Sequence, residues 1–274
     1  MRVVFPVLKT VPLTSKGHKT MTFMTRLMTV TAAAAVVIGM SGAAMAAPDA
    51  AKQLTADDVE KIVREFIMKN PEVILASVDD YQKNSQRVTQ DAAVQKNKDA
   101  LFSDTAAPIL GNPNGDVTLV EFMDYNCHYC KVAFPTVNAL IEKDKNLRVV
   151  IRDFPILGPT SDTAAKWALA AHKQKKYAAF HRAMLENKTP ITDALLEKVA
   201  RDIGMDLAQA KRDAQSADTL LQIERNRGLA SNLGLSGTPA FVIDDGSVVF
   251  GAYTQEELEK MIAAARAKKK ETAK

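Results

Sequence analysis

Cys127 and Cys130 are the only two cysteines of the 274-residue chain, and His128 and Tyr129 separate them. The pair follows an apolar run, Val117-Thr118-Leu119-Val120-Glu121-Phe122-Met123, and opens a segment of helical character. A Cys-x-x-Cys pair where a strand turns into a helix is the layout of a thiol–disulfide exchange centre. The free N–H groups and positive dipole end of a helix N-terminus both favour a thiolate. The thiolate is the attacking species in disulfide exchange, so lowering the Cys127 pKa makes that sulfur reactive. A structural bridge is the competing role, but so short a loop constrains the unfolded chain little. A closed zinc site needs four ligands. After residue 46 the chain has three histidines, His128, His172 and His181, and no second cysteine pair. Soft Cu(I) differs, because thiolates bind it well with fewer ligands.

The elements around this pair follow from the patterning. Val117–Met123 reads as a strand, and the segment from Cys127 to about residue 143 as a helix containing Pro135, which would kink it. Leu147-Arg148-Val149-Val150-Ile151-Arg152 reads as a second strand, and 161–232 as a block of helices. Ala240-Phe241-Val242-Ile243 and Val248-Val249-Phe250 flank Asp244-Asp245-Gly246, a hairpin signal. A last helix starts near Thr254, with Glu257 three residues on in a capping-box spacing. The order β-α-β, helical block, β-β-α predicts an α/β domain with a central sheet of mixed strand directions. The apolar side chains of Phe122, Phe134, Trp167, Phe180 and Phe241 are expected in its core.

Residues 55–104 differ. Val59, Ile62, Val63, Phe66 and Ile67 fall on one helical face, Asn70-Pro71 interrupts, and a second helix carries Val73, Ile74, Val78 and Tyr81. Beyond Tyr81 the segment turns polar. Such a helix is either an arm that packs against another copy or a helix docked on its own domain.

The whole chain has a formal net charge of +4, but residues 1–46 hold five cations and no acid. The rest carries 31 basic and 32 acidic residues, which gives no electrostatic case for nucleic acid or an anionic membrane. An apolar stretch of about 14 residues after Arg26, followed by Ala44-Met45-Ala46, reads as a signal peptide cleaved near Ala46/Ala47, and the stretch is too short for a comfortable bilayer span. Translation starting at Met21 or Met24 would give that segment a more usual length. Export places the protein in a compartment where disulfides persist, the periplasm.

Phe122 to Cys130, Pro135 eight residues after Cys127, the helical block and Gly237-Thr238-Pro239 before a strand together resemble the exported DsbA-type thioredoxin-fold proteins. Within these, the chain looks most like the subgroup containing the suppressor of copper sensitivity protein C, which carries an added N-terminal oligomerisation segment. The resemblance implies a thioredoxin-like α/β domain over 105–274 with a helical insertion at about 161–232, preceded by a helical arm at 47–104. It implies exchange with cysteine-containing protein substrates, a membrane redox partner, and a dimer or trimer built through the arm. No cofactor beyond the redox-active Cys127–Cys130 pair is implied, with Cu(I) binding by the reduced sulfurs as a secondary activity. Cys127 would attack, and Cys130 would resolve the mixed disulfide. His128 and Tyr129 would set the redox poise. DsbA-like oxidases usually carry His at the second intervening position, whereas here it is at the first, and Tyr129 is more like the isomerase members. Thr238 would pair with a substrate backbone beside a cis Pro239. Glu121 would lie buried beneath the cysteines and relay the proton lost by Cys130. Isomerase is narrowly preferred to oxidase, with a Cu(I)-binding protein of copper tolerance as the alternative.

Overall fold

The computed structural model describes residues 54–272. The leader and its cleavage position lie outside the described residues. Five strands form one sheet: β1 (Ile109–Gly111), β2 (Val117–Met123), β3 (Leu147–Asp153), β4 (Ala240–Ile243) and β5 (Val248–Phe250), in the order β1-β3-β2-β4-β5. The central strands β2 and β3 are parallel, in register from Val117↔Leu147 to Met123↔Asp153, and the other neighbours are antiparallel. Helix α4 (His128–Lys143) makes the crossover between β2 and β3. Every residue of β2 is buried, as a strand covered on both faces must be.

Alternation divides the core in two. Leu119, Met123, Val149, Ile151 and Phe241 pack on the α4 side, with Leu258 and Ile262 of the C-terminal helix. Val120, Phe122, Val150, Ala240 and Val242 pack on the other side. Between β3 and β4 run five helices: α5 (Pro159–Lys173), α6 (Tyr177–Glu186), α7 (Asp193–Asp202), α8 (Leu207–Ala214) and α9 (Ala217–Asn232). The small side chains of Ala164, Ala168, Ala170 and Ala171 on α5 are fully buried and let its neighbours approach closely. The β4–β5 turn uses Gly246 at φ 104°, where a side chain would be strained. The last helix, α10 (Gln255–Thr272), is capped as its sequence predicts: Glu257 N–H donates to Thr254 Oγ1 at 3.3 Å and Thr254 N–H to Glu257 Oε2 at 2.9 Å. Strand β1 is an addition, too short to carry a periodic signal.

N-terminal to the sheet are α1 (Ala56–Lys69), α2 (Pro71–Lys96) and α3 (Lys98–Phe102). No residue of α1 is buried, and Val59, Ile62, Val63 and Phe66 stand exposed along it. Helix α2 continues through the polar stretch to a buried Val94. Val94 and Leu101 belong to the core cluster of Val120, Phe122 and Val150, so the residues that complete the sheet domain begin N-terminal to 105. Arg152 fastens this junction from the same face. Its guanidinium is buried, pairs with Asp104 at 2.5 Å, and donates to the carbonyls of Ala100 and Leu101.

Candidate active site

Cys127 is the N-cap of α4, in extended conformation at φ −72° and ψ 118°. Its N–H donates to the Asp124 carbonyl at 3.0 Å, which fixes the turn out of β2. Its sulfur accepts from the Cys130 N–H at 3.4 Å and, as a thiol, donates to the Thr238 carbonyl at 3.1 Å. The hydrogen bond from the Cys130 thiol, helped by the backbone N–H groups of Cys130 and Tyr129, outweighs burial and brings Cys127 down to about 6. Cys130 is the opposite case. Burial first, then its hydrogen bond to Cys127 and the neighbouring Glu121, push its pKa far up. Cys127 keeps 6% of its surface exposed against 0% for Cys130, so the two thiols differ in access as well as charge.

Glu121 lies on the α4 side of β2 and is buried, because the sheet is covered on that face too. Burial, then the charges of Cys127 and Asp153, raise it to about 8. The Thr238–Pro239 peptide is cis and stands against the Cys127 sulfur through the Thr238 carbonyl. His128 and Tyr129 are exposed and turn edge-on to each other, with ring centroids 5.5 Å apart. Among the described residues, no hydrogen bond joins either ring to a sulfur. The structure thus gathers Cys127, Cys130, Glu121, Thr238 and Pro239 around one point, and leaves His128 and Tyr129 on its rim. Among the described residues no three His, Cys, Asp or Glu side chains converge as a metal site, so the Cu(I) expectation rests on the two sulfurs alone.

Sequence reasoning missed three supports. Asp124 is buried and acts as a tie: one carboxylate oxygen accepts from Asn126 N–H at 2.8 Å, the other from Ile156 and Leu157 N–H at 2.8 and 3.0 Å. Asn126 Nδ2 in turn donates to Thr160 and Ser161 at the start of α5. The third support is a buried polar cluster beneath the pair, made by Tyr125, Asp153, Tyr177 and His181. An Asp directly after an apolar strand and before a Cys-x-x-Cys turn is a readable Asx signal. The cluster has no such local signature, since its members are spread over β3, α6 and the turn.

A parallel β-α-β unit with antiparallel edge strands, a Cys-x-x-Cys N-cap and a facing cis proline define a thioredoxin-like domain with a helical insertion. The DSBA-like thioredoxin domain family matches residues 118–263, and the chain belongs to it. Among solved structures it is similar to a thioredoxin-like oxidoreductase from Silicibacter pomeroyi DSS-3, at 44% identity, 62% of this chain, 98% of that one and TM-score 0.61. It is also similar to a linker-deletion mutant of Proteus mirabilis ScsC, at 27% identity, 79% of this chain, 98% of that one and TM-score 0.62. A probable disulfide bond formation protein D of Bacillus cereus is 26% identical over 53% of this chain and 73% of that protein. The match to a Na(+)/H(+) antiporter NhaA 1 of Salinispora arenicola, 29% identical, covers 57% of this chain and 24% of the antiporter. The chain thus spans about a quarter of the length of the first curated relatives it matches.

Proposed function

We propose that the protein is an exported thiol–disulfide oxidoreductase of cysteine-containing protein clients. The carrying observation is the asymmetry of the pair: a Cys127 sulfur brought down to about 6 beside a Cys130 thiol pushed far up. The Cys127 thiolate attacks a client disulfide, forms a mixed disulfide and releases one client thiolate. Cys130, once deprotonated, attacks Cys127 Sγ. The Cys127–Cys130 bond forms, and the second client sulfur leaves with the electron pair. Oxidation of a client dithiol is the same sequence reversed. Glu121 receives the proton that Cys130 must lose. Tyr129, Val132, Ile156 and Leu157 are exposed, and this apolar rim suits non-native client segments.

A Cys127 pKa of about 6 stabilises the reduced form at pH 7 by about 1.4 kcal/mol relative to an ordinary thiol, or about 30 mV of added oxidising power. Shuffling is preferred over net oxidation because the uncovered faces of α1 and α2 suit association of copies, which would set several sites around one client. A membrane redox partner would reset the pair. Turnover of a scrambled-disulfide client, compared with Cys127→Ser and Cys130→Ser, tests the reading. Loss of turnover with Cys127→Ser and trapped mixed disulfide with Cys130→Ser are expected. Undiminished turnover in Cys127→Ser removes the proposal.

A further inference from the structure

The mechanism above uses one buried carboxyl, Glu121, and backbone N–H groups tie a second, Asp124, which leaves a third, Asp153, without a role. Glu121 on β2 and Asp153 on β3 share the α4 face of the sheet, since Glu121 pairs with Ile151 and Met123 with Asp153. They are 2% and 1% exposed. Among the described residues no Lys or Arg hydrogen-bonds or pairs with either. Asp153 Oδ1 accepts from Tyr177 OH at 3.1 Å, while Asp153 Oδ2 is buried with no partner. Two unpaired buried carboxylates cannot both be charged without a large cost, so the pair retains a proton.

The groups facing Asp153 come from each packed element. From β2 and its end come Glu121 and Asp124, and from the turn Tyr125. Helix α6 contributes Tyr177 and His181, α5 sets His172 edge-on against Tyr177, and α9 places Asn226 Nδ2 on the Asp153 backbone carbonyl at 3.0 Å. Cys127 and Cys130 lie beyond Glu121. Tyr125 OH is 3.4 Å from Tyr177 OH and 3.2 Å from His181 Nδ1, and the Tyr177 ring stacks on His181. With His181 Nδ1 donating, every hydrogen in the row points toward Asp153. Burial pushes Asp153 up to about 7, and the Tyr177 and Tyr125 hydroxyls of the row hold it from rising further.

We propose that Asp153 is a second proton-holding carboxyl of the redox site, sharing with Glu121 the proton that Cys130 releases, and that Tyr177, backed by Tyr125 and His181, sets its affinity for that proton. Asp153 is a positioning residue here, acting on the sulfurs through Glu121. The thiol proton of Cys130 passes to the Glu121–Asp153 pair, and the freed thiolate attacks Cys127 Sγ as already described. This rests on Cys130 being the resolving thiol.

The test is a single turnover of the full-length reduced protein with one equivalent of the disulfide dithiobis(nitrobenzoate), whose released thiolate is yellow. Attack by Cys127 releases one thiolate, and resolution by Cys130 releases the second. The rate of the second release is followed against pH. Two inflections are expected in the native chain. Asp153→Asn should remove one and move the other down by about one pH unit, because a like charge is lost. Asp153→Glu should keep two. Tyr177→Phe should move the lower inflection up. Superposable profiles for the native chain and Asp153→Asn overturn the proposal. So do Asn and Glu variants that change the rate equally with unchanged inflections, which is the mark of a merely structural role. If Asp153→Asn fails to fold by circular dichroism, Tyr177→Phe decides: an upward shift supports the proposal and an unmoved profile overturns it. Cys130→Ser is the control. A second release that persists in it defeats the assignment of Cys130, not that of Asp153.

Discussion

Cys127 and Cys130 are separated by less than one helical turn, yet their charge states are set in opposite directions. The Cys130 thiol is the largest influence lowering Cys127, so the two sulfurs form one unit. Alkylation of the reduced protein by iodoacetamide should half-saturate near pH 6 at Cys127 and spare Cys130. Cys130→Ala should move that midpoint up, and an unmoved midpoint would place the cause elsewhere. Glu121 makes a stability prediction. Its pKa rises from an ordinary 4.5 to about 8 on folding. Below 4.5 both states are protonated and no penalty exists. Between 4.5 and 8 the unfolded chain alone ionises, so stability falls by up to about 1.4 kcal/mol per pH unit. Glu121→Gln should therefore unfold at higher urea at pH 7, by up to about 3.4 kcal/mol, and converge with the native chain near pH 4. The cysteines, Glu121 and Pro239 were legible because each carries its meaning in a few adjacent residues. Asp153, Tyr177 and His181 were not, because only the packing of α6 against β3 joins them.

Among the elements, β2 and α4 do most of the positioning, and their sequence pattern is local and strong. The hairpin of β4 and β5 and the cap of α10 were equally readable, from Asp245-Gly246 and from Thr254 with Glu257. Strand β1 and the junction at α3 were hidden, because long-range pairing creates them. The Arg152–Asp104 pair carries that junction. Burial, the largest single influence, would raise Asp104, but the hydrogen bond and charge of Arg152, the Ala106 N–H and Gln222 together prevail and hold it below the usual carboxylate range. Removing one partner strands a buried charge, so Asp104→Ala should cost roughly 3 kcal/mol in denaturant melts. Since Asp104 is depressed on folding, its contribution is present above the ordinary carboxylate pKa and fades as pH falls through the lower folded value. A double variant, Arg152→Met with Asp104→Ala, should recover part of the loss. Equal losses in the single and double variants would mean that the charge left behind is not the cause.

For the whole molecule, the change of composition between 55–104 and the rest was legible, and the point where the core of the sheet begins was hidden. Polar composition continues smoothly through α2, so nothing before the structure marked Val94 as a core residue. A truncation removing 47–104 would strip Val94 and Leu101 from the core and confuse misfolding with loss of association. A chain beginning at Thr89 keeps both. It should sediment as a monomer while the full mature chain sediments as a dimer or trimer; equal masses would end the association model. It should also shuffle scrambled disulfides more slowly while alkylating normally at Cys127.

Gln86, on α2, lines the same recess as Thr238, Pro239 and Phe250. Helix α2 is 26 residues long, about 39 Å, and is anchored near its C-terminal end by Val94. Measured from that anchor, Gln86 is about 12 Å along and Glu72 about 33 Å. Gln86 therefore belongs at once to the outward-running helix and to the wall beside Thr238, so one side chain joins the two parts of the molecule.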